Sequence, residues 1–267
     1  MSSSVGSRQH PFHIIHPSPW PALAALAVLV VAWGGVDTMH GEPPIILGFG
    51  LLGVLSVLVL WWRDVIREAR VDKAHTPQVA LGLQAGMALF IVSEVMFFVV
   101  FFWAYFHNAF DLSPVLEGVW PPEDIETAYP FGLPLVNTII LVASGFTLMW
   151  GKKGLDLGQR PRLIAGLALS IALGVLFLGL QVWEYSLLSF DFQGGIFPST
   201  FYMATGFHGF HVFIGVCLLS VMLARALLGH FDAGCQHLGF QFAEWYWHFV
   251  DVVWIFLFVS MYWWVGP

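Results

Sequence analysis

Three stretches carry ionisable groups at helical spacing inside otherwise apolar surroundings. In "FAEWYWHFVDVVWIF", Glu244, His248 and Asp251 stand at i, i+4 and i+7, which stacks them on one helical face. In "ATGFHGFH", His208 and His211 stand three apart, flanked by Gly206 and Gly209, which permit close helix approach. One chemistry open to these groups is a haem or metal site built by His208, His211 and His248. A di-iron bundle site is a poor match, because it takes a Glu-x-x-His pair from each of two helices. Glu244 and His248 have the wrong spacing, and no second copy appears. The other chemistry is intramembrane polar glue, with the histidines satisfied by Glu244, Asp251 or hydroxyl groups. That is the expectation here, with no metal bound by this chain and no catalytic residue in it.

The third stretch, "LFIVSEVMFFVVFFWAYF", places Glu94 near the middle of a long apolar run. A charged side chain at mid-bilayer costs on the order of 3 kcal/mol or more, so a carboxyl there is a functional candidate by default. The expectation is a neutral carboxyl hydrogen-bonded to a neighbouring helix. Proton conduction and contact with a partner chain or lipid are the competing readings. Glu184, in "LQVWEYS", lies near the outer end of its span, where partial hydration would make a carboxylate cheap.

A different set gathers at one surface. Trp61, Trp62, Arg63, Glu68 and His75 follow the second apolar segment, and Arg225 ends the sixth. Interfacial indoles and guanidinium groups at headgroup depth suit an anionic phospholipid, although an ordinary aromatic belt with a basic loop has the same composition. His10, His13 and His16 near the amino terminus could act as a proton antenna, since histidine exchanges protons near neutral pH; a solvated tail is the simpler reading. Cys217 and Cys235 have no CxxC spacing and read as small apolar fillers.

The elements that must position these groups follow from composition. The chain is 58 % hydrophobic and 10 % charged, with a mean hydropathy of +0.78, whereas soluble domains are roughly 25 % charged. Seven apolar segments, at about 20–37, 43–62, 79–106, 132–150, 162–185, 199–224 and 240–265, each approach the roughly 20 residues a helix needs to span a bilayer. The period-two alternation of a membrane barrel is absent, so the expected fold is all-α, a seven-helix transmembrane bundle. The first segment is read as a retained span and not as a signal peptide, because it folds back at once through "DTMHGEPP".

With seven spans, every Lys and Arg falls on one side: Arg8, then Arg63 to Lys73, Lys152 to Arg162, and Arg225. The other side carries Asp37, Glu42, Asp111, Glu117, Glu123, Asp124, Glu126 and Asp191. By the positive-inside rule the amino terminus is cytoplasmic and the carboxyl terminus external. The expected organisation is a cytoplasmic segment at 1–19, a two-helix hairpin at 20–62, a cytoplasmic linker at 63–78 and a five-helix bundle at 79–267. The prolines of "EGVWPPEDIETAYP" favour a fixed extended path against a partner or the bundle mouth.

Several strings together resemble a known family. "WWRDVIRE…HTP", "GLQAGMALFIVSEVMFFVVFFWAYFH", "GVWPPE", "LPLVNTIILVASG", "LQVWEY", "FYMATGFHGFHVFIG" and "EWYWHFVDVVWIFLF" are similar to cytochrome c oxidase subunit III of the haem-copper oxidases, from about Trp61 to the carboxyl terminus. The hairpin of the first two spans agrees in character and favours the cytochrome c branch over quinol oxidases. The resemblance implies two helices and five helices separated by a V-shaped, lipid-filled cleft. It implies an accessory subunit without a redox centre, with haem and copper in partner subunits I and II and cytochrome c as a partner at the level of the complex. It also implies bound structural phospholipids, anionic or zwitterionic, support of proton uptake and stability in subunit I, and a bacterial inner membrane. Nucleic acid is not an expected partner. Glu94 matches the family's buried glutamate, and Trp61, Arg63, Glu68, His75, Gly86 and Arg225 match positions near the cleft lipids. The alternative from another class is a free-standing haem-binding or proton-coupled membrane protein using its own intramembrane His and Glu.

Overall fold

The structure is a computed structural model that describes residues 17–71, 75–110, 119–123, 125–231 and 237–266. His10, His13, His16 and Cys235 lie outside the described residues. Among those described, regular structure is helical throughout: α1 (Trp20–Met39), α2 (Ile45–Arg70), α3 (Pro77–Phe110), α4 (Leu133–Asp156), α5 (Arg160–Leu187), α6 (Ile196–Leu227) and α7 (Leu238–Phe258), the last continued by a π-helical stretch, Val259–Trp263. All seven are long and apolar enough to cross a membrane, so the expected all-α bundle of seven spans is observed.

The helices outrun the apolar segments. α2 continues to Arg70, through residues expected to form part of a linker, because Arg and Glu are good helix formers and no Gly or Pro interrupts them. This matters for the surface set. Two residues apart on a helix is about 200° of rotation, so Trp61 and Arg63 leave α2 on nearly opposite sides, while Trp61 and Glu68, seven apart, share a face.

Contacts divide the chain into two compact units, Met1–Ala85 and Gly86–Pro267. In the first, α1 and α2 pair through small residues. A Cβ on Gly34 would strike the backbone of Leu47, and one on Gly50 would come within 2.6 Å of the Val31 nitrogen. The turn between them uses Gly41 at φ +92°, a conformation that only a residue without Cβ adopts freely. At the far end of the hairpin, Trp20 Nε1 donates to Asp64 Oδ2 at 2.8 Å.

In the second unit α7 is the most buried span. α4 and α5 approach at Gly151 and Gly166, where a Cβ on Gly166 would lie 2.5 Å from the Gly151 Cα. Their join is tightened by Ser170 Oγ, which donates to Ser144 O at 3.0 Å and lies 2.7 Å from Thr147 Oγ1. α4 and α6 both end in Schellman caps. Past α6, Gly229 at φ +70° donates to Ala226 O at 3.1 Å and His230 to Arg225 O at 2.9 Å. Arg160, at the start of α5, donates to Ala226 O and Leu227 O, satisfying carbonyls at the same helix end.

Trp247 knots the unit together. It is fully buried, and its Nε1 donates to Ser144 Oγ of α4 at 3.0 Å. Its ring fills the gaps left by Gly174 of α5 and Gly215 of α6, where a Cβ would come within 2.6 and 2.7 Å of it. Seven residues on, Trp254 repeats the pattern, donating to Thr138 Oγ1 at 2.9 Å and packing edge-on against Phe177 at 4.7 Å. The described part of the loop between α3 and α4 lies against the same unit. Its Trp120 ring meets Tyr105 and Phe197 at 5.3 and 5.5 Å, and Thr127 Oγ1 donates to Val265 O at 3.2 Å.

Candidate functional site

The long apolar α3 carries Glu94 to α6, where its Oε2 lies 2.8 Å from His211 Nε2. The other imidazole nitrogen, Nδ1, is 2.7 Å from the Phe207 carbonyl oxygen. A carbonyl oxygen only accepts, so Nδ1 bears a proton. Nε2 then either donates to a carboxylate or accepts from a carboxylic acid. In both forms the pair holds one proton between its members and carries no net charge, which is how a carboxyl and an imidazole persist together at this depth. Phe97, Phe98 and Phe249 surround the imidazole at centroid distances of 5.8, 4.9 and 6.3 Å. The expected hydrogen bond from Glu94 to a neighbouring helix is therefore present, and its partner is a histidine that the sequence had grouped with possible metal ligands.

His208, one turn earlier on α6, is fully buried and turns elsewhere. Its Nε2 lies 3.2 Å from the Val250 carbonyl oxygen, so it donates there. Its ring packs on Trp254 at 5.0 Å and on Phe177 at 5.7 Å. His248 faces a third partner, with Nδ1 3.3 Å from Asp251 Oδ2. Among the described residues no three His, Cys, Asp or Glu side chains converge as a metal ligand set. The three histidines read together in the sequence take three different partners: Glu94 for His211, the Val250 carbonyl oxygen for His208 and Asp251 for His248.

Glu244 is the member of the α7 stripe whose partner the sequence misses. Buried at the start of α7, it meets Lys152 Nζ of α4 at 2.7 Å. Lys152 falls just past the fourth apolar segment, but α4 continues through it to Asp156 and so brings the ammonium group back against the bundle.

Glu184 is a correction. It is buried, 3 % exposed, and not at a hydrated edge. Tyr262 donates to its Oε1 at 2.7 Å, Gln181 Nε2 lies 3.4 Å from the same oxygen, and Asn137 Nδ2 donates to Gln181 Oε1 at 3.3 Å. α5 extends past Glu184 to Leu187 and the carboxyl-terminal π-helical stretch covers it, neither of which hydropathy reveals. The i, i+3 pair Gln181 and Glu184 inside an apolar helix was the available signal for this network.

On α2, Trp61 and Glu68 are half-buried, and Trp62 and Arg63 are exposed. Arg63 Nη2 lies 3.6 Å from Asp64 Oδ1. His75, just before α3, is half-buried. In the second unit, Gly86 is exposed. Arg225 lies folded along the end of α6, with its guanidinium 5.2 Å from the Phe231 ring centroid and so near Gly239 that a Cβ there would come within 2.7 Å of Nη1. Its methylene stem and planar head thus cover apolar and backbone surface at the α6–α7 end.

Comparison with known proteins bears on this scaffold of paired polar groups. A family model described as cytochrome c oxidase subunit III matches residues 10–266. A protein named cytochrome c oxidase subunit 3 from Prototheca wickerhamii is 48 % identical over 263 residues, covering 97 % of this chain and 99 % of the relative. Proteins of the same name from Scyliorhinus canicula and Danio rerio are 48 % and 46 % identical, each over 260 residues, again covering 97 % of this chain and 99 % of theirs. With a family model matched nearly end to end, and relatives of full length close to half identical, the chain belongs to the cytochrome c oxidase subunit III family.

Proposed function

We propose that this chain is a non-catalytic support of the oxidase. It packs against subunit I, with subunit II in the same complex, holds structural phospholipids and sustains proton uptake and stability in subunit I. Haem and copper reside in those partner subunits, and cytochrome c delivers electrons to the complex. The observation that carries this reading is the pairing of intramembrane ionisable groups within the chain: Glu94 with His211, Glu244 with Lys152, His248 with Asp251 and Glu184 with Tyr262. Three of these pairs tie different helical segments together, while His248 and Asp251 both stand on α7.

The membrane setting we propose is a bacterial inner membrane with a cytoplasmic amino terminus. The partition of all ten Lys and Arg to one side supports that orientation. On the same side, Trp61, Trp62, Arg63, Glu68 and His75 in the first unit, and Gly86 and Arg225 in the second, are the proposed phospholipid contacts. Indoles anchor at headgroup depth, and each cation near an anionic surface adds about 1 kcal/mol. His10, His13 and His16 remain a proposed proton antenna on that side.

The experiment is Trp61→Ala combined with Arg225→Ala in the intact oxidase. Bound phospholipid per complex is expected to fall, and the number of turnovers before inactivation to fall several-fold, with initial turnover little changed. Unchanged lipid content and an unchanged working life would refute the lipid role of these residues.

A further inference from the structure

His248 is the ionisable group that α7 leaves open to its surroundings in the middle of a span. The span runs Leu238–Trp263, and 35 % of the His248 side chain is exposed. Its inward edge is spoken for, with Nδ1 facing Asp251 Oδ2 at 3.3 Å. Asp251 in turn presses into the space left by Gly145 of α4, where a Cβ would lie 2.5 Å from Oδ2. Asp251 Oδ1 is buried without a hydrogen-bond partner among the described residues.

The open edge is Nε2, for which the described residues supply no partner. If Nδ1 donates to a carboxylate, a neutral ring presents Nε2 as an acceptor; a protonated ring presents it as a donor. Either form calls for a hydrogen-bonding group at mid-span. Acyl chains have none, and the polar atoms of a phospholipid lie at headgroup depth, far from this position. A membrane-spanning protein segment brings such a group to this level.

The residues around His248 fit that occupant. Val252, Ile255 and Val259 continue its face at helical spacing, exposed by 66, 45 and 40 %, and together the four cover about 16 Å of helix. Three β-branched side chains with fixed χ1 make a stiff, shallow ridge that loses little rotamer freedom on docking. We infer that this ridge of α7 is the seat of a transmembrane helix from a partner oxidase subunit, which presents a hydrogen-bonding side chain to the open edge of His248. The inference rests on the proposed role as an oxidase subunit and adds to it the face by which the chain is held.

The test uses intact oxidase purified through a tag on this chain, with photoreactive benzoylphenylalanine in place of Val252 or Ile255. The same probe at Val182, 69 % exposed on α5, is the comparison. Irradiation is expected to join positions 252 and 255 to a haem-bearing oxidase chain, identified by mass, at least ten-fold more than position 182. His248→Phe, which keeps a ring and removes both nitrogens, is expected to release the chain from the complex at several-fold lower detergent concentration. Adducts at 252 and 255 with lipid or detergent alone, in a complex that retains its haem, would overturn the inference and leave the proposed function standing. Adducts with a second copy of this chain would overturn it as well. A tagged chain that brings down no haem-bearing partner would overturn both.

Discussion

Trp247→Ala is expected to cost about 3–5 kcal/mol of stability, the range for deleting a large aromatic from a packed core. The side chain is fully buried and reaches three helices besides its own, α4 through Ser144 and α5 and α6 through Gly174 and Gly215. The two glycines have no side chains with which to close the cavity, so relaxation would need whole helices to move. On thermal unfolding of the detergent-solubilised chain the melting point should fall on the order of 10 °C. Trp247→Phe, which keeps most of the volume and loses the hydrogen bond to Ser144, should cost about 1–2 kcal/mol. A melting point for the alanine variant within a degree or two of the parent would show that the four-helix knot is not where this unit's stability resides.

Lys152→Met is expected to cost about 3 kcal/mol, because it strands the buried Glu244 carboxylate without its counter-ion. The two groups lie 2.7 Å apart, with side-chain exposures of 42 % for Lys152 and 7 % for Glu244, so the penalty falls on the acid and not on the half-hydrated ammonium group. Glu244→Met alone should cost less, since Lys152 can turn to water. The double variant Lys152→Met with Glu244→Met should recover most of the loss, as an apolar pair of similar volume often equals a buried ion pair. Thermal unfolding of all four proteins forms a double-mutant cycle. If Lys152→Met alone melts with the parent, the pair is idle and α4 and α7 are held by packing and by the hydrogen bonds from Trp247 and Trp254.

Both predictions rest on contacts between residues far apart in sequence, and this marks the limit of sequence reading here. The seven spans were legible because each apolar run is long enough to cross a bilayer and the basic residues fall cleanly to one side. The ends of the helices were not. Arg63, Arg67 and Arg70 signal the membrane edge, but they are also good helix formers, so α2 runs on through them and sends Trp61 and Arg63 to opposite sides. Glu94 announced its need for a partner by its position in an apolar run. That the partner is His211, 117 residues away, depends on how α3 packs on α6, which periodicity within one helix does not specify.

Lys152 and Glu184 mark the same limit from two directions. A lysine near the end of a span looks like a loop cation until the helix is seen to continue through it and meet Glu244. A glutamate near the end of a span looks hydrated until Tyr262, 78 residues on, is seen to cover it. Helix type and existence follow from local composition; partner choice is tertiary. The strings running from Trp61 to the carboxyl terminus carried the family resemblance without any of these contacts, because recognisable residues need not reveal whom they touch.

The proposed role of this chain is to support the oxidase without holding its redox centres. The most direct measurement is to tag the chain, extract the complex from native membranes in mild detergent, and follow haem, copper and oxygen consumption before and after the tagged chain is stripped away. The expected result is that haem, copper and initial activity stay with the stripped complex, which then loses activity faster during turnover. Haem leaving with the tagged chain would refute that role and make haem ligands of histidines that the structure gives to Glu94, Asp251 and the Val250 carbonyl oxygen.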